Sequence, residues 1–183
     1  MKRRALLFFL LLSPFVWLFK GCSQFADSTP CTTSTVYTAA QIRGFFPNHS
    51  VIQGDISYAE VNPAFAPKWH DYMGKVMSLL GMAANWTNQF DCNRFANVKL
   101  AVIHIRFLVD TWHKRQPGTS PAAGEFWFIP GAIPGGWLAN LGRPGHAIVV
   151  TIEGGQKTFR DIYTERALTL TAAEQESAYL IKF

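Results

Sequence analysis

The chain is poor in the residues that build metal centres and disulfide frameworks, with three cysteines and five histidines in 183 residues. A metal site needs more such ligands at close spacing: His104 and His113 are nine apart, and His49 and His70 stand alone, so neither metal nor cofactor is expected. Charge is sparse as well. The formal net charge is +5, and four of the positive residues (Lys2, Arg3, Arg4, Lys20) crowd into the start of the chain. The rest is near neutral, which excludes the basic stripe of a nucleic-acid footprint. An unbroken apolar run of membrane length is missing: Ala5 to Phe19 is interrupted by Ser13 and Pro14 and closed by Lys20, short of the roughly 20 residues of a span. What is present is a globular composition, 49% hydrophobic and 14% aromatic, long enough for one domain with a real core.

Positive Lys2-Arg3-Arg4 followed by the apolar run has the layout of an export signal. Gly21-Cys22 resembles a bacterial lipoprotein processing site, which would acylate Cys22. Cleavage after Ser23 and retention as an uncleaved membrane anchor are the alternatives. The expected organisation is therefore a signal or anchor over 1–21, a Ser/Thr-rich tether over 22–38 and a single domain over 39–183. That domain would work outside the cytoplasm, in the periplasm or cell envelope, with Lys2-Arg3-Arg4 left inside.

An exported chain meets oxidising conditions, so each thiol calls for an explanation. Cys22 and Cys31 are close enough in sequence to pair. Cys92 has three readings: a buried core thiol, a disulfide with Cys31, or a nucleophile.

The body begins with a loop-rich stretch over 39–65, punctuated by Gly44, Pro47, Asn48, Gly54, Asn62 and Pro63. Pro67 suits the first turn of a helix, and Trp69, Met73, Val76 and Leu80 continue it as an amphipathic stripe ending at Gly81. A second helix is expected from about Cys92 to Val109. Phe95, Val98, Val102, Ile105 and Val109 trace one face, and Leu100, Ile103, Phe107 and Leu108 fill the others. A helix apolar on nearly all sides belongs in the middle of a domain. Asp91 is a good N-cap, placing Cys92 at the first helical position, where free N–H groups and the helix dipole favour a thiolate.

Downstream, Glu125 to Ile129 has the aromatic content of a strand, and the glycine-rich loop over 130–137 follows it. Trp127 and Trp137 are candidates to wall a binding cleft there; a loop covering the core edge is the structural alternative. His146 to Ile152 and Lys157 to Tyr163 read as strands joined by a two-residue turn at Gly154-Gly155. In that register Ile148 faces Asp161, and His146 and Asp161 become diagonal neighbours about 7–8 Å apart at the backbone. Thr171-Ala172-Ala173-Glu174 is a capping box, and Ala178 to Phe183 alternates like a closing strand.

These placements suggest a thiol hydrolase. Cys92 would attack a carbonyl, His146 would serve as base and then acid, and Asp161 would orient His146. The Cys92 N–H and Gln89, with Asn88 or Asn85 as substitutes, would hold the oxyanion. Asp91-Cys92 with Phe95-Ala96, Gly145-His146-Ala147-Ile148-Val149-Val150 and then Asp161 resemble the transglutaminase-like cysteine peptidases of the papain-like superfamily. The resemblance implies an α+β fold with a central N-terminal helix carrying the cysteine, packed on an antiparallel β-sheet. It departs at Phe90, where bacterial members often have glycine. The implied activity is hydrolysis or transamidation of peptide or amide bonds, with a peptide substrate and the membrane reached through the N-terminal segment. An NlpC/P60-type peptidase acting on peptidoglycan peptides is one alternative. A non-catalytic surface lipoprotein or binding protein on the same fold is the other.

Overall fold

The structure, a computed structural model, describes residues 29–79, 92–112, 118–129, 145–161 and 167–183. Among these residues, nine strands form two sheets. Strands β1 (Thr32–Thr38), β3 (Ser57–Val61) and β4 (Thr119–Pro121) make a three-stranded sheet in the order β1-β3-β4. The larger sheet runs β2-β9-β5-β6-β7-β8, from β2 (Val51–Ile52), β9 (Leu180–Lys182), β5 (Ala123–Phe128), β6 (His146–Glu153), β7 (Gln156–Arg160) and β8 (Ala167–Leu168). The helices are α1 (Ala39–Gly44), α2 (Trp69–Leu79), α3 (Cys92–Thr111) and α4 (Ala172–Glu176).

Local chemistry explains several of these elements. Thr38 caps α1 and Thr171 caps α4 through reciprocal capping boxes with Gln41 and Glu174. Every residue of β6 is buried, in keeping with its central place in the sheet. Gly154 and Gly155 adopt positive φ at the β6–β7 turn, which glycine does at no steric cost. Glu153 then pairs with Gln156 and Val149 with Arg160, the register that a two-residue turn requires.

Alternation along β5 and β6 divides the core in two. Ala123, Ala147 and Val149 pack with Cys92, Phe95, Val102, Ile103 and Phe107 of α3 and with Trp69 and Met73 of α2. Phe126, Phe128, Ile148, Val150 and Phe159 face the other way, against Phe46, Leu170 and Ile181. A carboxylate ties the two sheets together: Glu60 on β3 accepts hydrogen bonds from Tyr37 (2.8 Å), Thr33 (2.9 Å) and the Gly155 N–H (2.8 Å).

Several expectations need correction. The loop-rich stretch 39–65 also supplies α1, β2 and β3. Residues 32–38, expected in a tether, form β1, which hydrogen-bonds along β3. The closing strand forms as β9 and lies between β2 and β5. The expected α+β papain-like arrangement, a central N-terminal helix on one antiparallel sheet, is also not what is found. The long helix comes in mid-chain after three strands, a second sheet is present, and both sheets contain a parallel pair, β3–β4 and β2–β9.

The surroundings of α3 differ as well. Its buried side holds Cys92, Phe95, Ala96, Lys99, Val102, Ile103, Arg106 and Phe107 at helical spacing, while Ile105, Leu108 and Val109 face solvent. The helix lies across the sheet and is not enclosed on all sides. The two long cations take inner positions that an all-apolar reading would have kept for aliphatics. Lys99 is satisfied by donating to the Asp161 carbonyl (2.7 Å) and by lying over the Trp69 ring, and Arg106 pairs with Asp110 (2.9 Å).

Candidate functional site

Cys92 is the first residue of α3 and is 8% exposed. Near it stands Tyr179, whose phenol is pushed up by burial and by the proximity of Cys92. Tyr179 packs edge-on against Trp127 at 6.2 Å, and its backbone N–H donates to the Trp127 carbonyl (3.0 Å). The Trp127 indole N–H donates to Glu125 (2.8 Å). Gly145 leaves room for the Tyr179 hydroxyl, since a Cβ there would lie 2.4 Å from it. The thiol thus adjoins an aromatic corner that includes the expected cleft residue Trp127 and one residue, Tyr179, that sequence reasoning placed only in a closing strand.

His146 and Asp161 are buried, at 5% and 9% exposed. His146 shares its face of β6 with Ile148 and Val150, and its ring packs edge-on against Phe128. The helix carrying Cys92 packs on the opposite face, against Ala147 and Val149. Asp161 follows directly after β7, where its carbonyl accepts from Lys99. The hairpin register therefore sets His146 on β6 and Asp161 just past the end of neighbouring β7, while α3 covers the other side of β6. Gln89, Asn88, Asn85, Asp91, Trp137 and Cys22 lie outside the described residues.

A Cys31–Cys92 disulfide is excluded by position. The Cys31 N–H donates to Asp110 (2.8 Å) at the far end of α3, and the 18 residues from Cys92 to Asp110 span about 27 Å of helix. Disulfide-bonded Cα atoms lie within about 7 Å of each other. Both residues are free thiols. Burial pushes the Cys31 thiol far above its ordinary range, and the neighbouring Asp110 carboxylate adds to the effect, so Cys31 stays protonated.

At that same end of α3 the structure opens a groove of about 470 Å³ between β1 and the helix. Its lining includes Thr32, Thr33, Ser34, Asn62, Asp110 and Thr111 together with apolar Val36, Ala59 and Phe107. The frame is held firmly. Thr33 donates to Glu60, Asn62 bridges the Pro30 carbonyl and the Ala64 N–H (both 2.9 Å), Asp110 accepts from Cys31 and pairs with Arg106, and Thr111 donates to the Phe107 carbonyl (2.6 Å). Among the described residues the Thr32 and Ser34 hydroxyls have no protein partner. Sequence reasoning missed this groove because its outer wall was assigned to a tether. The signal was present in Thr32–Thr38, a run of threonine, valine and tyrosine with strand-forming character.

Comparison with known proteins bears on the class of fold. No family model matches the sequence, and no curated protein matches it. Among solved structures the chain is similar to the PSL1a-E64 complex, with a TM-score of 0.54 and 17% identity over 81% of this chain and 51% of that one. It is likewise similar to Polyporus squamosus lectin bound to the human-type influenza-binding epitope Neu5Aca2-6Galb1-4GlcNAc, with a TM-score of 0.53 and 17% identity over 81% of this chain and 49% of that one. This chain spans about half the length of those structures. The likeness is one of fold.

These findings correct the functional expectations. The fold is the one shared with the two solved structures above and not the expected papain-like arrangement, so the peptidase resemblance and the Cys-His-Asp hydrolase reading built on it are not upheld. The expected peptide or peptidoglycan-peptide substrate, which rested on that resemblance, falls with it. No helix among the described residues is long and apolar enough to cross a membrane, and the N-terminal segment through which a membrane partner was expected lies outside the described residues.

Proposed function

We propose that this chain is a non-catalytic binding protein that takes a saccharide in the groove between β1 and the C-terminal end of α3. The observation that carries the reading is the chemistry of that groove. Hydroxyls, an amide and a carboxylate line the groove together with apolar side chains, which suits a ligand that presents hydroxyl groups on its edges and C–H groups on its faces. Hydroxyls both donate and accept, so Thr32 and Ser34 can match either partner on a sugar ring, and Asp110 retains lone pairs for sugar hydroxyls. A few placed polar groups above apolar contact area are the usual make-up of a small-molecule site. The shared fold with a lectin accords with the reading without identifying the sugar. The N-terminal signal remains part of the proposal, with the domain acting outside the cytoplasm.

The test is titration calorimetry of the full chain against a panel of neutral, amino and sialylated oligosaccharides, repeated with Ser34→Trp. Ser34 is exposed on an edge strand, so the tryptophan fills the groove without disturbing the core. Saccharide binding that Ser34→Trp abolishes is the expected result. Absence of binding across the panel, or binding indifferent to Ser34→Trp, would sink the proposal.

A further inference from the structure

The outer side of α3 carries a feature that the groove does not use. Ile105, Leu108, Val109 and Trp112 are 50%, 58%, 53% and 73% exposed. Among the described residues the other exposed large apolar side chains, Val36, Ile52, Ile56, Ile129 and Tyr179, are spread over several elements, whereas these four gather along about two turns at the end of one helix. With exposed Ala101 they form a seam at 101, 105, 108 and 112. Steps of four, three and four are the spacing of a helix that packs against another helix. Toward the N-terminal end the seam continues into exposed Asn97 and Arg94, a polar margin.

We propose that a second copy of this chain docks here, α3 against α3 in antiparallel orientation. A two-fold axis requires that if residue i meets residue j, then j meets i. The register that sets Ile105 against Leu108 of the other copy also sets Ala101 against Trp112. The largest side chain of the seam then meets the smallest, at both ends of the contact, while two aliphatics of similar size fill the middle. This pairing lets the helices approach to the usual 8–10 Å or so between axes despite the indole. A stripe chosen at random would not pair with itself in this way.

The area suits association of moderate strength. The four large residues expose on the order of 500 Å² of apolar surface per copy, somewhat below the roughly 800 Å² per partner of a standard interface. Asn97 and the flanking surface would supply the remainder as a rim. The dimer should therefore dissociate in the micromolar range and not be obligate, and the monomer should fold by itself.

Sedimentation equilibrium of the full chain over a wide concentration range tests the inference, with Ala101→Trp and Leu108→Glu as variants. Both positions face solvent in the single chain, so the variants should keep the wild-type circular dichroism spectrum and melting curve. The expected result is a concentration-dependent dimer that each substitution weakens at least tenfold. Ile105→Cys/Leu108→Cys should also form an intermolecular disulfide on mild oxidation, because the register places these positions opposite each other. Three outcomes would overturn the proposal. One is a monomer at every concentration; another is association that Ala101→Trp leaves unchanged, which would point to contacts elsewhere, including the N-terminal apolar segment. The third is a monomer whose binding to phosphatidylglycerol vesicles is lost in Leu108→Glu, which would make the face a lipid contact. The test is independent of whether the groove takes a sugar.

Discussion

Substitution of Gly124 by alanine should destabilise this fold more than the size of a methyl group suggests. Gly124 lies on β5 where β9 runs alongside, and a Cβ built there would sit 2.3 Å from the Lys182 carbonyl oxygen and 3.0 Å from the Phe183 ring. Normal contact needs about an ångström more than the first of these distances. Neither obstacle can retreat easily. The Phe183 N–H donates to the Ile52 carbonyl (2.8 Å), its carbonyl accepts from Gly54 (3.1 Å), and its ring packs on Phe46 and Tyr58. The strand must therefore move as a unit. Overpacking costs about 1–3 kcal/mol when side chains can adjust, and a backbone obstacle places Gly124→Ala near the top of that range, at about 3 kcal/mol. Against a total stability of about 5–15 kcal/mol, this should lower Tm by about 6–12 °C in a domain of this size. Gly44→Ala is the control. It is helical and has no atom within 4 Å of a Cβ, so it should leave stability unchanged or raise it by up to about 1 kcal/mol. Thermal and urea unfolding followed by circular dichroism measure both. A Gly124→Ala protein within about 0.5 kcal/mol of wild type would refute the packing argument at β5–β9.

Other consequences follow from buried charges and thiols. Arg160 and Glu153 form a buried pair, at 2.5 and 2.7 Å, with Thr151 donating to the same carboxylate. Arg160→Met strands that carboxylate and should cost about 3–5 kcal/mol in urea unfolding, while Arg160→Met with Glu153→Leu should cost clearly less. Burial lowers the pKa of His104, against a smaller opposing effect from Asp55. The folded protein therefore prefers the neutral ring. The stability due to His104 is whole above the ordinary histidine pKa of about 6.5 and is lost as pH falls through the lowered folded value. Tm should thus fall between pH 7 and pH 5 less steeply in His104→Gln than in wild type. Cys31, whose thiol is pushed up, behaves in the opposite sense: its contribution is whole below the ordinary thiol pKa and is lost at alkaline pH. Its thiol should resist a thiol reagent at pH 8 in the native state and react at once in denaturant.

Legibility of the site followed the range of the forces involved. The helix from Cys92 and the strand from His146 were readable because each carries its own periodicity, and the β6–β7 register because one glycine pair sets it. The relation of Cys92 to His146 was not readable, because parity within a hairpin says which residues share a face and not which face a distant helix covers. The groove was hidden for the same reason. Its walls, Thr32–Val36 and Phe107–Thr111, lie some 75 residues apart and meet only after β1 pairs with β3 and Cys31 binds Asp110.

The sequence by itself determined the elements whose signals are local: the Thr171 capping box, the glycine turn, the long helix and the strand from His146. Only the tertiary structure decided that β1 is a strand and not a tether, that Lys99 and Arg106 turn inward while Ile105, Leu108 and Trp112 stay in water, and that Cys31 and Cys92 lie at opposite ends of one helix. The reason is physical. A segment's own propensity ranks what it can form within a few residues, but which side of it is buried depends on the surfaces that other, distant segments bring against it. In α3 the carbonyl of Asp161 and the carboxylate of Asp110 were such partners, and they held two cations inside where hydrophobicity alone would have placed the leucine and the tryptophan.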